Sequence, residues 1–354
     1  MMNRIEKLRV KMQEAELESF LITSPYNLRY LTGFTGTTGL AVITKKEAYF
    51  VSDFRYAEQV AKQCPDYTFI QNMGPIFDEV AKIIKSDDLM NMAFEEEHMS
   101  FSTYTTLAEM LETGLVPVAG MIEELREVKE ESEMKIIRKA CEIADSAFKH
   151  ILDYIKPGMT EIQVANELDF YMRSLGATSV SFETIVASGV RSAMPHGVAS
   201  DKVIEQGDMI TIDFGCYYEG YVSDMTRTIA LGDPGEELKE IHQRVLDAQL
   251  KVTEAAKPGM SGVELDAVAR DYFATLGCAE AFGHSTGHGI GLEIHEGPNV
   301  SRMAEKKFVP GNVITNEPGL YYPGVGGVRI EDDMLVTEEG VEILTHSPRA
   351  LIII

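Results

Sequence analysis

Asp213 and Asp224 flank a turn at Glu219-Gly220, and Glu317 and Glu331 flank a second glycine-bearing turn further along the chain. Each pair lies on a strand–turn–strand pattern, so counting outward from the first turn sets Asp213 roughly opposite Asp224. Like charges facing each other across a hairpin destabilise it, or force one group to hold a proton. A single hairpin of this kind is explained by one acid facing solvent. Two of them call for cations between the acids. Hard divalent ions are the natural partners of carboxylate oxygen, and four carboxylates can neutralise two such ions. The segment FGHSTGHGIGLEIHEGP (282–298) adds His284, His288 and His295. A nitrogen ligand shifts the choice from Ca or Mg towards Mn, Co, Fe or Zn. A lone histidine is more often structural, but three in a glycine-dense stretch lie where backbone approaches a ligand closely. The zincin pattern HExxH is absent, since Gly297-Pro298 follows His295-Glu296, and GHGIG lacks the GK[ST] of a phosphate-binding loop.

The elements that must carry these acids occur twice. GDMITIDFGCYYEG (207–220) and GNVITNEPGLYYPG (311–324) agree at seven of fourteen positions at an offset of 104, with Glu317 answering Asp213. KPGMT (156–160) and KPGMS (257–261) repeat upstream, followed by Tyr171/Tyr272 and Leu175-Gly176/Leu276-Gly277. A stacked array needs at least three repeats, so this is an internal duplication, and packing its halves together draws their acids to a shared centre. Before the first Pro-Gly turn, Met134, Ile137, Cys141, Ala144, Phe148, Ile151 and Ile155 recur at steps of three and four, as in a long amphipathic helix. Thr160-x-x-Gln163 and Ser261-x-x-Glu264 then read as capping boxes opening the next helix of each copy. The strands that follow have no long crossover helices between them, which predicts antiparallel pairing and an α+β fold.

Upstream, residues 1–125 read as a separate mixed α/β unit, with the charged run REVKEESEMK (126–135) marking the boundary of a second domain, 126–354. An amphipathic first helix turns Ile5, Leu8 and Met12 inward; FLITS (20–24) and LAVITKKEAYFVS (40–52) read as strands, and 77–84 and 102–113 as helices. Asp53, Arg55 and His98 are the polar candidates there, and a surface ion pair and a satisfied histidine account for them. With 32 basic against 56 acidic residues the net charge is −24. No basic cluster stands out, so nucleic acid and anionic membrane are not expected partners. The four scattered cysteines form no CxxC pair and read as reduced, mostly buried thiols of a cytoplasmic protein.

The motifs together resemble the "pita-bread" dinuclear metallopeptidases, in particular the branch of aminopeptidase P and prolidase. SFETIVASG (181–189), PHG (195–197), DFG…YVSDMTRT (213–228), HSTGHGIG…IHEGP (284–298), EPGLYYPG (317–324) and GVRIEDD (327–333) carry the likeness. Residues 1–125, with NLRYLTGFTG (27–36) and SDFRY (52–56), resemble the creatinase-type N-terminal domain. The resemblance implies Asp213, Asp224, His288, Glu317 and Glu331 as metal ligands, with Asp224 and Glu331 shared between two ions, Mn(II) first and Co(II) or Zn(II) next. It implies Glu317 as proton shuttle and His196, His284 and His295 as residues that position substrate. Arg329 would hold a substrate carboxylate or backbone oxygen, or serve as charge partner to the acids. Asn316 departs from the family's usual apolar or small residue without removing a metal-binding atom. The implied activity is removal of an N-terminal residue preceding proline, an Xaa-Pro aminopeptidase on the strength of chain length. The alternative is a prolidase restricted to Xaa-Pro dipeptides. A methionine aminopeptidase fits less well, because Arg329-x-Glu331 and the N-terminal domain are present; intact ligand positions argue against a non-catalytic binding protein. The resemblance also implies a homo-oligomer, in the first instance a dimer.

Overall fold

The computed structural model describes residues 2–354. The chain divides into two compact units, the first ending at Arg126 and the second spanning Glu127–Ile354. In the first, α1 (Arg4–Glu14), β1 (Ser19–Ile22), α2 (Pro25–Thr32), β2 (Leu40–Thr44), β3 (Ala48–Ser52), α3 (Ala57–Gln63) and β4 (Thr68–Gln71) are followed by α4 (Ile76–Ser86), β5 (Asn91–Glu95), α5 (Phe101–Met110), β6 (Gly114–Val118) and the short α6 (Glu123–Arg126). The strands form one sheet ordered β4-β3-β2-β1-β5-β6, antiparallel at β1–β2 and β2–β3 and parallel elsewhere. Leu21, Val42, Val51, Val80 and Met92 pack in its core, and α1 buries the three expected residues, Ile5, Leu8 and Met12. Asp53 and Arg55 form an exposed pair two residues apart, at 2.7 and 2.8 Å. That is the surface-pair reading.

The second unit repeats one plan. α7 (Glu131–Tyr154) and α8 (Glu161–Ser174) precede β7 (Ser179–Val180), β8 (Ile185–Ser188), β9 (Met209–Phe214), β10 (Cys216–Tyr218), β11 (Tyr221–Val222) and β12 (Met225–Ala230). Then α9 (Glu236–Ala255) and α10 (Gly262–Thr275) precede β13 (Gly287–Gly289), β14 (Glu296–Val300), β15 (Val313–Asn316), β16 (Gly319–Tyr322), β17 (Gly326–Arg329), β18 (Asp332–Val336) and β19 (Val341–Ile343). Both predicted capping boxes form, on Thr160 with Gln163 and on Ser261 with Glu264. Each half has its own apolar core: Ile143, Phe148, Leu168 and Ile212 in one, Val245, Leu265, Phe273 and Ile314 in the other. Every strand pair in this unit is antiparallel. It is an α+β fold. No helix among the described residues is long and apolar enough to cross a membrane, and all four cysteines are free and buried.

The register of the first hairpin corrects one expectation. Glu219 and Gly220 both take positive φ, 44° and 83°, and make a two-residue turn that pairs Tyr218 with Tyr221. Counting from that turn, Asp213 pairs with Thr226, not Asp224. Asp224 is the diagonal neighbour, two residues along, and so shares a face with Asp213. Gly215 permits the close approach between them: a Cβ there would lie 1.8 Å from the Ser223 carbonyl oxygen. In the second copy, Asn316 pairs with Asp332 and Gly319 with Arg329, which sets Glu317 directly across from Glu331.

Candidate active site

The two halves join where β12 meets residues 329–331. Glu331 N–H donates to the Thr226 carbonyl at 3.0 Å, Thr226 Oγ1 donates to the Glu331 carboxylate at 2.6 Å, and Arg329 N–H donates to Thr228 Oγ1 at 3.1 Å. Arg227, almost wholly buried, bonds the carbonyls of Glu331 and Ser347 and pairs with Asp332 at 2.7 Å. Asp333 accepts the Asp224 N–H at 2.9 Å. The acids thus stand on backbone that is bonded from both sides.

Side chains from both halves line one cavity of about 590 Å³: Asp213, Asp224, His284, His288, His295, His196, Glu317, Arg329 and Glu331. All nine residues singled out in the sequence are there. Asp224, His288 and Glu331 form the tightest group, one ligand atom of each lying within 4.8 Å of the others. His288 Nε2 lies 3.5 Å from both Asp224 Oδ2 and Glu317 Oε1. Asp213 is drawn to Arg329, whose Nη2 donates to its Oδ2 at 2.6 Å.

Electrostatics describe a site short of positive charge. Burial raises the Asp224 and Glu331 carboxyls well above the carboxylate range; for Asp224 the Glu331 charge adds most, and for Glu331 the Glu317 charge. Burial, reinforced by Asp213 and opposed by Arg329, pushes Glu317 up to about 8. The histidines move the other way: burial holds His284 and His288 down to about 4 and lowers His295. A neutral His288 whose Nδ1–H donates to the Gly289 carbonyl, 3.1 Å away, presents a bare Nε2 lone pair to two carboxylates. Buried Oδ1 atoms of Asp213 and Asp224 have no hydrogen-bond partner. Lone pairs converging on one point repel unless a cation or protons stand between them. The donor set, carboxylate oxygens with one imidazole nitrogen, fits a divalent transition metal.

Arg329 adopts the charge-partner arrangement. It is 3 % exposed, and its guanidinium reaches Thr226 Oγ1 at 3.1 Å, Tyr321 Oη at 2.8 Å and Asp213. These bonds engage three of the five N–H donors of the guanidinium. Tyr321 was not foreseen as a site residue, although its place in the repeat, opposite Tyr217, was visible. Its hydroxyl accepts from Arg329 and donates to His284 Nε2 at 2.8 Å, while His284 Nδ1 donates to the Ser285 carbonyl. That chain fixes the tautomer of His284. Also unforeseen is the apolar wall of Phe182, Ile185, Pro195, Val198 and Ile294; alternating apolar residues of this kind carry no signal distinguishing a pocket from a core.

Fold and site together define a metallopeptidase. Residues 135–338 match the model of Metallopeptidase family M24, and residues 4–128 that of the Creatinase/Prolidase N-terminal domain. The chain belongs to metallopeptidase family M24. It is 52% identical to a solved Xaa-Pro dipeptidase from Bacillus anthracis, with a TM-score of 0.98 and 99% of each chain covered. It is 40% identical to an Xaa-Pro dipeptidase of Pyrococcus furiosus, over 99% of this chain and 100% of that one. A solved X-Pro aminopeptidase from Thermotoga maritima is 39% identical, with a TM-score of 0.92, over 97% of this chain and 100% of that one.

Proposed function

We propose that this chain is an Xaa-Pro dipeptidase that uses two divalent ions, Mn(II) first. The observation that carries the reading is the full-length similarity to relatives named as dipeptidases, together with a cavity in which Asp224, His288 and Glu331 converge. Chain length had put the aminopeptidase first. That argument fails, because dipeptidase and aminopeptidase relatives alike match essentially from end to end. The aminopeptidase is retained as second reading on the Thermotoga maritima similarity.

In this reading Asp213, Asp224, His288, Glu317 and Glu331 would hold the ions. When bound, the ions would supply Lewis acidity at the scissile carbonyl and lower the pKa of water. Glu317 takes a proton from the attacking water and returns one to the proline nitrogen. That nitrogen must be protonated to leave, and it has no N–H of its own before cleavage. His284, neutral and fixed by Tyr321, faces the scissile bond, while the exposed His196 and His295 orient the peptide at the mouth. The apolar wall accepts the proline ring and an apolar first residue. Asp213 is held in place by Arg329, whose Nη2 lies 2.6 Å from its Oδ2.

The test is a substrate-length series on chelated protein reloaded with Mn, Co or Zn. Xaa-Pro should be cleaved and Xaa-Pro-Yaa spared. Cleavage of the longer peptide selects the aminopeptidase, release of methionine from Met-Ala-Ser without cleavage before proline selects a methionine aminopeptidase, and inertness of metal-loaded protein selects a binding protein.

A further inference from the structure

Lys129 is nearly unexposed, at 1 % of its side chain, in a protein of net charge −24 where most lysines lie in solvent. A lysine is almost never buried without a partner. Its partner is Glu296, 5 % exposed, with Nζ 2.7 Å from Oε1. Neither residue is among those proposed to hold metal or touch substrate, yet Glu296 directly follows His295.

Both ends of this pair are anchored. Lys129 N–H donates to the Gly311 carbonyl at 2.9 Å, Asn312 Nδ2 donates to the Glu127 carbonyl at 3.0 Å, and the capping box of Glu130 with Glu133 starts α7 at once. The ammonium therefore projects from a backbone stitched on either side. On the other side, Glu296 Oε2 accepts the Glu293 N–H, and its carboxylate lies so close to Gly291 that a Cβ there would sit 2.3 Å from Oε1. Residues 291–296 thus wrap around the carboxylate that Lys129 holds. The loop brings His295 to the cavity, its ring edge-on to His288 at 4.4 Å between centroids.

We infer that Lys129 is a positioning residue for His295, acting through Glu296: the segment entering the catalytic unit sets the loop at the mouth of its site. Without the ammonium, the Glu296 carboxylate loses the 2.7 Å charge-assisted bond around which residues 291–296 are wrapped. The loop is then held less firmly. The kinetic consequence rests on the peptidase reading; the structural one does not.

The test uses the full-length, metal-loaded protein. In Lys129→Met, amide exchange over 289–297 should quicken at least tenfold while exchange in β9 and β12 stays as in the parent. On Xaa-Pro substrate, kcat should fall at least tenfold with KM within about threefold. Adding His295→Ala to Lys129→Met should cost no more than the larger single loss, since both act through one ring. Glu296→Gln, which keeps the shape and removes the charge, should behave likewise and serves if Lys129→Met fails to fold. Unchanged exchange over 289–297, or kinetic losses that multiply, would overturn the inference. If the parent cleaves no proline peptide, the functional reading falls and the exchange measurement still decides this one.

Discussion

Replacing Glu317 by glutamine should stabilise the metal-free protein at neutral pH. Glu317 ionises at about 8 in the fold against 4.5 ordinarily. Between those values the folded state binds a proton that the unfolded state has released, so stability falls as pH rises. At pH 7 the gap is about 2.5 units, or about 3 kcal/mol at 1.36 kcal/mol per unit. Glutamine mimics the protonated form in both states and removes that penalty. Urea unfolding of chelated parent and variant should therefore agree at pH 4.5 and separate with rising pH. By pH 7 the variant should lead by about 3 kcal/mol, or roughly 6–12 °C in Tm for a domain of this size. Added Mn(II) should reverse the order, because the parent keeps all its ligands. Equal stabilities across pH 5–8, or a chelated parent that gains stability with rising pH relative to the variant, would refute the account of a carboxylate held against its charge.

Two further outcomes follow from other positions. His242 is buried with Nε2 unpartnered and is held down to about 4 by burial. The unfolded state therefore takes up a proton first as pH falls below 6.5, and stability is lost from there towards pH 4; His242→Leu should recover about 3 kcal/mol of that loss at pH 4.5, read by urea unfolding against the parent. Gly215→Ala would put a Cβ 1.8 Å from the Ser223 carbonyl and 2.5 Å from Ser181 Oγ, which parts the hairpin at Asp224. Calorimetric titration should show Mn(II) affinity reduced at least tenfold, while Gly283→Ala, which meets nothing within 4 Å, should bind as the parent does.

Much of this protein could be read without coordinates. The helices, the capping boxes, the antiparallel strands and the convergence of acids from two copies follow from local chemistry and repetition, both of which are written along the chain. The glycine-dense stretch also offered His284, His288 and His295 as nitrogen donors, and the family resemblance gave them their places at the site. The sequence erred in the register: from the turn at Glu219-Gly220 the pairing sets Asp213 opposite Thr226, so Asp224, two residues short of it, lies diagonal to Asp213. The function of Arg329 stayed open between two roles because a strand position specifies a face, not a partner.

What composition and pattern determined is the class of chemistry: duplicated acidic hairpins, whose facing acids call for cations, with a histidine-rich loop. Only the tertiary structure decided how that chemistry is held. Tyr321 joins Arg329 to His284 across strands, Arg227 ties β12 to the C-terminal carbonyls, and Lys129 meets Glu296 from 167 residues away. Such bonds depend on where distant backbone comes to rest, and a side chain's neighbours along the chain carry no trace of it.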